Sequence, residues 1–359
     1  MFVGWKMHTI ITFIASGLVI PGVILALYFY FRYKYRPIIY LGLICFFSFV
    51  MIFTYALADF FLSIPILLIC CYSYVPTGIG VVLLIDIISR ESVDPIKLMV
   101  ISLISGALVF VCLDPKSFTI DRYPNGEWGI FFSGYLLPIL AVHELIMGTL
   151  MIYYFAKIHL NAPRKLKFNS FMCLVGTLIL GVITTFVVIL GLHLAIPGIH
   201  MALFGGGILV TTIFFASEPR LAYVLPFKVI RLAAIESIGG IPIYTYTWSE
   251  KEEMSDASLF SGMMHAINQF VQESLGKGIV REIHLEEAIL ILRKSEKPPV
   301  IFILVANKSS KTLRDALTSF AQRFLKDYSQ FITQPIDEEK FKTASNLIYD
   351  CFPFVPEYD

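Results

Sequence analysis

The sequence predicts an α-helical seven-span membrane bundle followed by a separate α+β domain. Three observations carry that prediction. First, 57% of the 359 residues are apolar and only 15% are charged, where a soluble domain carries about 25% charged residues. Second, the first 217 residues hold 12 of the 28 Lys and Arg and 8 of the 27 Asp and Glu, so the charge is concentrated in the remaining 142. Third, the early apolar runs are each as long as a bilayer is thick, which takes about 20 residues of helix.

The spans fall at about 7–31, 37–60, 62–88, 96–113, 129–156, 168–193 and 197–217, within a membrane region 1–217. The last two come from one charge-free run divided at 193–198, where Pro197 and Gly198 break the helix. The first apolar run is too long for a signal peptide and lacks a small-residue cleavage site, which reads as a retained anchor. Trp5, Tyr123, Trp128 and the Tyr28, Tyr30, Tyr33 and Tyr35 group lie at expected span ends as interface anchors. Gly205, Gly206 and Gly207 suit close helix packing. No pair of interrupted segments signals an inverted repeat.

Lys and Arg in short loops mark the cytoplasmic side. With the N-terminus outside, the inner segments carry Arg32, Lys34 and Arg36, then Arg90 and Lys97, then Lys157, Arg164, Lys165 and Lys167, then Arg220, Lys228 and Arg231; the outer ones carry Lys6, Lys116 and Arg122. The chain is therefore expected in the cell membrane with its C-terminal domain in the cytoplasm. That compartment keeps thiols reduced, and the six cysteines show neither a CxxC pair nor zinc-ligand spacing. Ionisable residues within or beside spans are expensive and default to functional candidates. Asp59, His193 and His200 fall at outer span ends, and His143 and Glu144 fall near the middle of the fifth span. Together they suit an outward pocket for a metal, a proton or a small polar ligand. The competing reading leaves the first three in the wet interface and Glu144 satisfied inside the bundle.

After a linker at 218–227, segments 229–237 and 241–248 are rich in β-branched and aromatic residues around Gly239 and Gly240, which reads as a hairpin. A polar loop at 250–256 leads to a helix over 259–275, whose apolar face is Phe260, Met263, Met264, Ile267, Phe270, Val271 and Leu275. Gly276 and Gly278 end it. Three strand-length segments follow at 279–285, 288–293 and 300–306. Leu313, Leu317, Phe320, Phe324 and Phe331 mark a second helix, with Ser309 or Ser310 as its N-cap. A third opens at Asp337 with Glu338 and Glu339 in its first turn, where acidic residues are favourable. The order is ββαβββαα.

That order, with IGGIPIY at 238–244, LFSGMMHAI at 259–267 followed by Phe270 and Glu273, and VIFILV at 300–305, resembles longin and roadblock-like modules over about 228–359. The resemblance rests on topology and apolar pattern. It implies a five-stranded antiparallel sheet with helices packed on it, and binding to small GTPases or to other longin or roadblock proteins, with homodimerisation through an edge strand as a further option. Longin-type SNAREs place the module before a SNARE coil and one C-terminal span, an arrangement this chain lacks. The membrane region is similar, in architecture only, to seven-span input regions of sensor histidine kinases; His265 and His284 are isolated and do not mark a phosphoacceptor helix.

Several activities are not indicated. Gly276, Lys277 and Gly278 lack the spacing of a phosphate-binding loop, and His143 and Glu144 lack the second histidine of a metalloprotease helix. A net charge of +1 without a basic run provides no footprint for nucleic acid. The expectation is a non-enzymatic membrane protein without a cofactor, presenting a longin-like module as a signalling or trafficking adaptor for a small GTPase, with spans that respond to a ligand. The alternative from another class is a transporter or channel with a regulatory cytoplasmic domain. A third reading, intramembrane metal catalysis by His143, Glu144, His193 and His200, spreads its groups over three helices and two depths.

Overall fold

A computed structural model describes residues 5–90, 92–196, 198–237, 239–248, 257–275, 280–332 and 338–357. The chain divides into two compact units, Met1–Ala222 and Tyr223–Asp359. In the first, α1 (Met7–Tyr33), α2 (Arg36–Phe61), α3 (Ile64–Arg90) and α4 (Pro95–Val111) precede a hairpin of β1 (Phe118–Arg122) and β2 (Trp128–Phe132). Then come α5 (Leu136–Asn161), α6 (Lys167–Leu178), a π turn (Ile179–Ile183), α7 (Thr184–Ile189), the single turn α8 (Leu192–Ala195) and α9 (Ile199–Ser217).

Six of the described helical segments are long and apolar enough to cross a membrane: Met7–Arg32, Arg36–Phe61, Ile64–Arg90, Leu136–Asn161, Arg164–Ile189 and Ile199–Ser217. The segment expected as a fourth span is the shorter α4, with 17 residues, about 25 Å of helix against a hydrocarbon core of about 30 Å. The segment expected as the start of the fifth span is different in kind. Trp128–Phe132 is strand β2, and the helix starts at Leu136 after Gly134, which holds φ +57°. Hydropathy counts apolar residues without regard to their period, so a buried strand running into a helix reads as one long run.

Two features pack the bundle. Gly205 and Gly207 bring α9 against α1, α6 and the π turn: a methyl on Gly205 would stand 2.7 Å from the Ala15 carbonyl oxygen, and one on Gly207 2.7 Å from the Leu180 nitrogen and 2.8 Å from the Gly176 carbonyl oxygen, whereas one on Gly206 would meet nothing within 4 Å. Small residues allow such backbone approach where no hydrophobic effect drives helices together. The second feature is polar. Buried Asp86 near the end of α3 accepts from Lys97 Nζ at 2.7 Å and from the Asp94 backbone N–H at 2.6 Å, and Asp94 in turn caps α4 by accepting from the Ile96 N–H.

The second unit contains β3 (Val229–Glu236), β4 (Pro242–Thr247), α10 (Ala257–Leu275), β5 (Glu282–His284), β6 (Ile289–Ser295), β7 (Val300–Ala306), α11 (Lys311–Ile332) and α12 (Ser345–Cys351), the last preceded by a 3-10 turn at Glu338–Ala344. The strands form one antiparallel sheet in the order β4-β3-β7-β6-β5. Every residue of the central β7 is buried, because helices cover both faces. Ala233, Ile235, Leu290, Leu292, Ile301, Ile303 and Val305 pack against Phe260 and Met264 of α10. On the opposite face Phe302 meets Phe320 and Phe324 of α11 at 6.1 and 5.6 Å, with Tyr244 beside the same two rings. Each fully buried Phe contributes about 1.5–3 kcal/mol relative to an exposed one. The β3–β4 turn uses Gly240 at φ +66°, a conformation costly for other residues.

The order ββαβββαα and the five-stranded antiparallel sheet are both present. Ser310 is the residue that caps α11, accepting from the Leu313 N–H at 3.1 Å. The polar loop at 250–256 and the stop at Gly276 and Gly278 lie outside the described residues.

Candidate functional site

The polar residues of the first unit gather at one end of the bundle, where α1, α5 and α9 begin, α2 ends and the β1–β2 hairpin lies. Asp59, two residues before the end of α2 at Phe61, is fully buried and is held from α1. His8 Nδ1 stands 3.3 Å from its Oδ2, Thr9 Oγ1 donates to the same oxygen, and Lys6 Nζ lies 3.6 Å from Oδ1 and donates to the Asp59 carbonyl at 2.5 Å. A carboxylate in this position is tolerable because its charge is paired with Lys6 and its Oδ2 accepts from Thr9.

The other face of His8 belongs to an aromatic group. Its ring centroid lies 5.2 Å from Tyr123, 5.5 Å from Tyr55 and 6.1 Å from His200, the last stacked. These side chains line a cavity of about 210 Å³ together with Tyr74, Phe131, Phe132, Glu144, Phe204 and the threonines of α7. Tyr74 donates to Glu144 Oε1 at 3.1 Å. The Tyr123 phenol, in the hairpin turn, is pushed well above its ordinary range by burial, with Tyr55 and Asp59 acting in the same direction, so it is a neutral group at physiological pH.

Deeper in the bundle a second cavity of about 60 Å³ shares Met51, Tyr74, Glu144, Thr185 and Phe204 with the first. His143 lines it. The imidazole fits against α3 because Gly78 has no side chain: a methyl there would stand 2.8 Å from His143 Nε2. Neither His143 nitrogen nor the Ser48 hydroxyl, also on this wall, has a hydrogen-bond partner among the described residues. The wall opposite contains the π turn, whose Gly181 lies against Gly148 of α5. Thr184 and Thr185 donate to the carbonyls of Ile179 and Gly181. Such π turns recur at functional sites.

Of the five residues expected at a site, the structure joins His200 and Glu144 in one cavity, sets Asp59 behind its wall as the partner of His8, and points His143 into the neighbouring cavity. The His193 side chain lies outside the description, although its backbone is in α8. Lys6, His8, Thr9, Tyr55, Tyr74 and Tyr123 complete the group and were not among the expected residues. For His8 the signal is present: it is an imidazole at a span end, the same feature that marks His193 and His200. Counting only Asp, Glu, Lys and Arg as interruptions passes over it. Among the described residues, no three His, Cys, Asp or Glu side chains converge as a metal-binding set. No family model matches this chain, and no curated protein matches it in sequence.

Proposed function

We propose that the chain is a multi-pass membrane receptor whose bundle binds a small ligand and whose α+β domain is a longin/roadblock-like interaction module for a small GTPase or a related longin or roadblock partner. The observation that carries the ligand reading is the convergence of His8, Glu144 and His200, from three different helices, on one aromatic-walled cavity. Pockets of this kind, apolar with a few converging polar groups, are the usual form of small-molecule sites. The module reading is supported by the antiparallel sheet covered on both faces. Its two edges, β4 and β5, leave the option of pairing with a second copy or another such domain. In this reading the seventh expected span, α9, acts on the module through the short connection that separates Ser217 from Val229, α4 completes the seven, the N-terminus is outside and the module is cytoplasmic. The test is capture of small GTPases, loaded with GDP or with a non-hydrolysable GTP analogue, by the full chain in lipid nanodiscs. Nucleotide-dependent capture supports the adaptor; no capture in either state removes the GTPase from the proposal.

A transporter is favoured by a different observation, the adjacency of the two cavities, which share Tyr74 and Glu144 as lining, with His143 in the second. Intramembrane carboxylates and imidazoles recur in proton and ion pathways. Flux in proteoliposomes that is insensitive to Glu144→Gln would remove that reading.

A further inference from the structure

We infer that the cavity between α2, α5, α7 and α9 binds a small organic ammonium ion with an apolar body, its charge set against Glu144 and the faces of Tyr74 and Phe204. The inference rests on the receptor reading above and names the class of ligand.

The first argument is charge. Among the described residues no Lys or Arg lines the cavity, and Glu144 is the one acidic residue that does. Asp59 has its own partners in Lys6, His8 and Thr9, whereas Glu144 accepts from the phenol of Tyr74. A carboxylate within a bilayer is costly until a cation joins it. The second argument is the wall. Tyr55, Tyr74, Tyr123, Phe131, Phe132 and Phe204 all line the cavity, and aromatic faces attract ammonium groups through their quadrupoles. The third concerns the cavity's hydroxyls: those of Thr184 and Thr185 donate to backbone carbonyls and so are not directed at an anion. An inorganic divalent ion is poorly served as well, because no metal-binding set occurs among the described residues. Size agrees. A volume of about 210 Å³ equals about seven waters at about 30 Å³ each, enough for a monoamine with one ring or a short branched body.

A third cavity, of about 170 Å³, shares Glu144, Thr185 and Ile189 with the first and is lined otherwise by apolar and small residues of α5, the π turn and α7. Leu145, Phe186 and Ile189 on its rim are exposed. An amine with an apolar body that partitions into a bilayer can therefore reach Glu144 from the side, between α5 and α7.

The experiment uses the full chain in nanodiscs and three probes of matched shape: phenethylamine, 2-phenylethanol and phenylacetate. Thermal unfolding and titration calorimetry are expected to show saturable stabilisation by phenethylamine, with the alcohol and the acid weaker by about tenfold or more, the loss expected for an unmade charge-assisted contact. Glu144→Gln abolishes the preference for the amine over the alcohol. Should that variant fail to fold, Phe204→Leu decides, since it keeps an apolar wall but removes one aromatic face; it weakens the amine by about fivefold and leaves the alcohol within about twofold. Tighter binding of the alcohol or the acid overturns the ammonium assignment while leaving a ligand-binding cavity and the receptor reading intact. Equal affinity for amine and alcohol, or an unchanged preference in Glu144→Gln, also overturns the assignment. Absence of binding by all three overturns it together with the ligand-binding reading of the cavity.

Discussion

The Nδ1 of His8, in the first turn of α1, lies 3.3 Å from Oδ2 of Asp59 near the end of α2, and both side chains are buried. That contact ties the two helices at the end of the bundle where the cavity lies, and it sets which side of His8 remains for the aromatic group.

Removing the carboxylate therefore costs more than one hydrogen bond. Asp59→Ala leaves Lys6 buried without its ion-pair partner, and a broken buried pair costs about 3–5 kcal/mol. Thr9→Ala, which loses a single bond to a charged group, costs about 1.5–3 kcal/mol. Unfolding of the full chain in detergent is expected to rank the two variants in that order; an Asp59→Ala protein as stable as the parent would show that the cluster does not hold the helices.

The Asp86 and Lys97 pair between α3 and α4 is a second lock. Lys97→Met alone leaves buried Asp86 with only the Asp94 N–H, so it is expected to be more damaging than the double variant Asp86→Asn with Lys97→Met. A double-mutant cycle is expected to report about 0.5–3 kcal/mol of coupling, and additive effects would remove the pair from the account of this turn.

Three adjacent glycines are expected to behave differently. Gly205→Ala and Gly207→Ala place a methyl against backbone atoms at 2.7 Å, and relieving such overpacking costs about 1–3 kcal/mol. Gly206→Ala meets nothing and stays within about 0.5 kcal/mol. Thermal unfolding of the three variants checks the contrast.

In the α+β domain, Phe302→Ala removes a ring from between β7 and α11 and is expected to cost about 3–5 kcal/mol. Leu259→Ala on the exposed side of α10 is expected within about 0.5 kcal/mol. Denaturant titration followed by the domain's own signal, such as Trp248 fluorescence, separates them.

Glu282 supplies a pH dependence. Burial raises its carboxyl, but hydrogen bonds from Ser309 and Arg314 and the charge of Arg314 outweigh it, so the group titrates below the ordinary value for glutamate. The folded value lies below the unfolded one of about 4.3, so the stabilisation is complete above that pH and is lost as pH falls through the folded value. The stability difference between the wild type and Glu282→Gln is expected to shrink as pH falls below about 4.3, through the folded value of the carboxyl. A difference that instead widens over that acid range would reverse the sign and the assignment.

Much of the architecture was legible because it follows from one-dimensional periods. Apolar runs of bilayer length located six helices long and apolar enough to cross a membrane, alternation around Gly239 and Gly240 located the hairpin, and the apolar stripe of Leu313, Leu317, Phe320 and Phe324 located α11. Where two periods adjoin, the reading failed: Trp128–Phe132 is a strand that runs into α5, and hydropathy sums the two. The π turn at Ile179–Ile183, whose Gly181 lies against Gly148 of α5, has no signal in the hydropathy pattern.

The sequence by itself determined that the chain has an apolar helical region and an α+β domain of order ββαβββαα, because both are set by composition and by repeats of 3.6 and 2 residues. It also marked Asp59, His143, Glu144 and His200 as costly groups. Only the tertiary structure decided that His8 joins Asp59, that Glu144 and His200 share a cavity while His143 faces another, and that Tyr74 and Tyr123 stand with them. Those pairings link residues on different helices, and the face each residue presents depends on the rotation and crossing of every helix around it, which no local pattern of residues specifies.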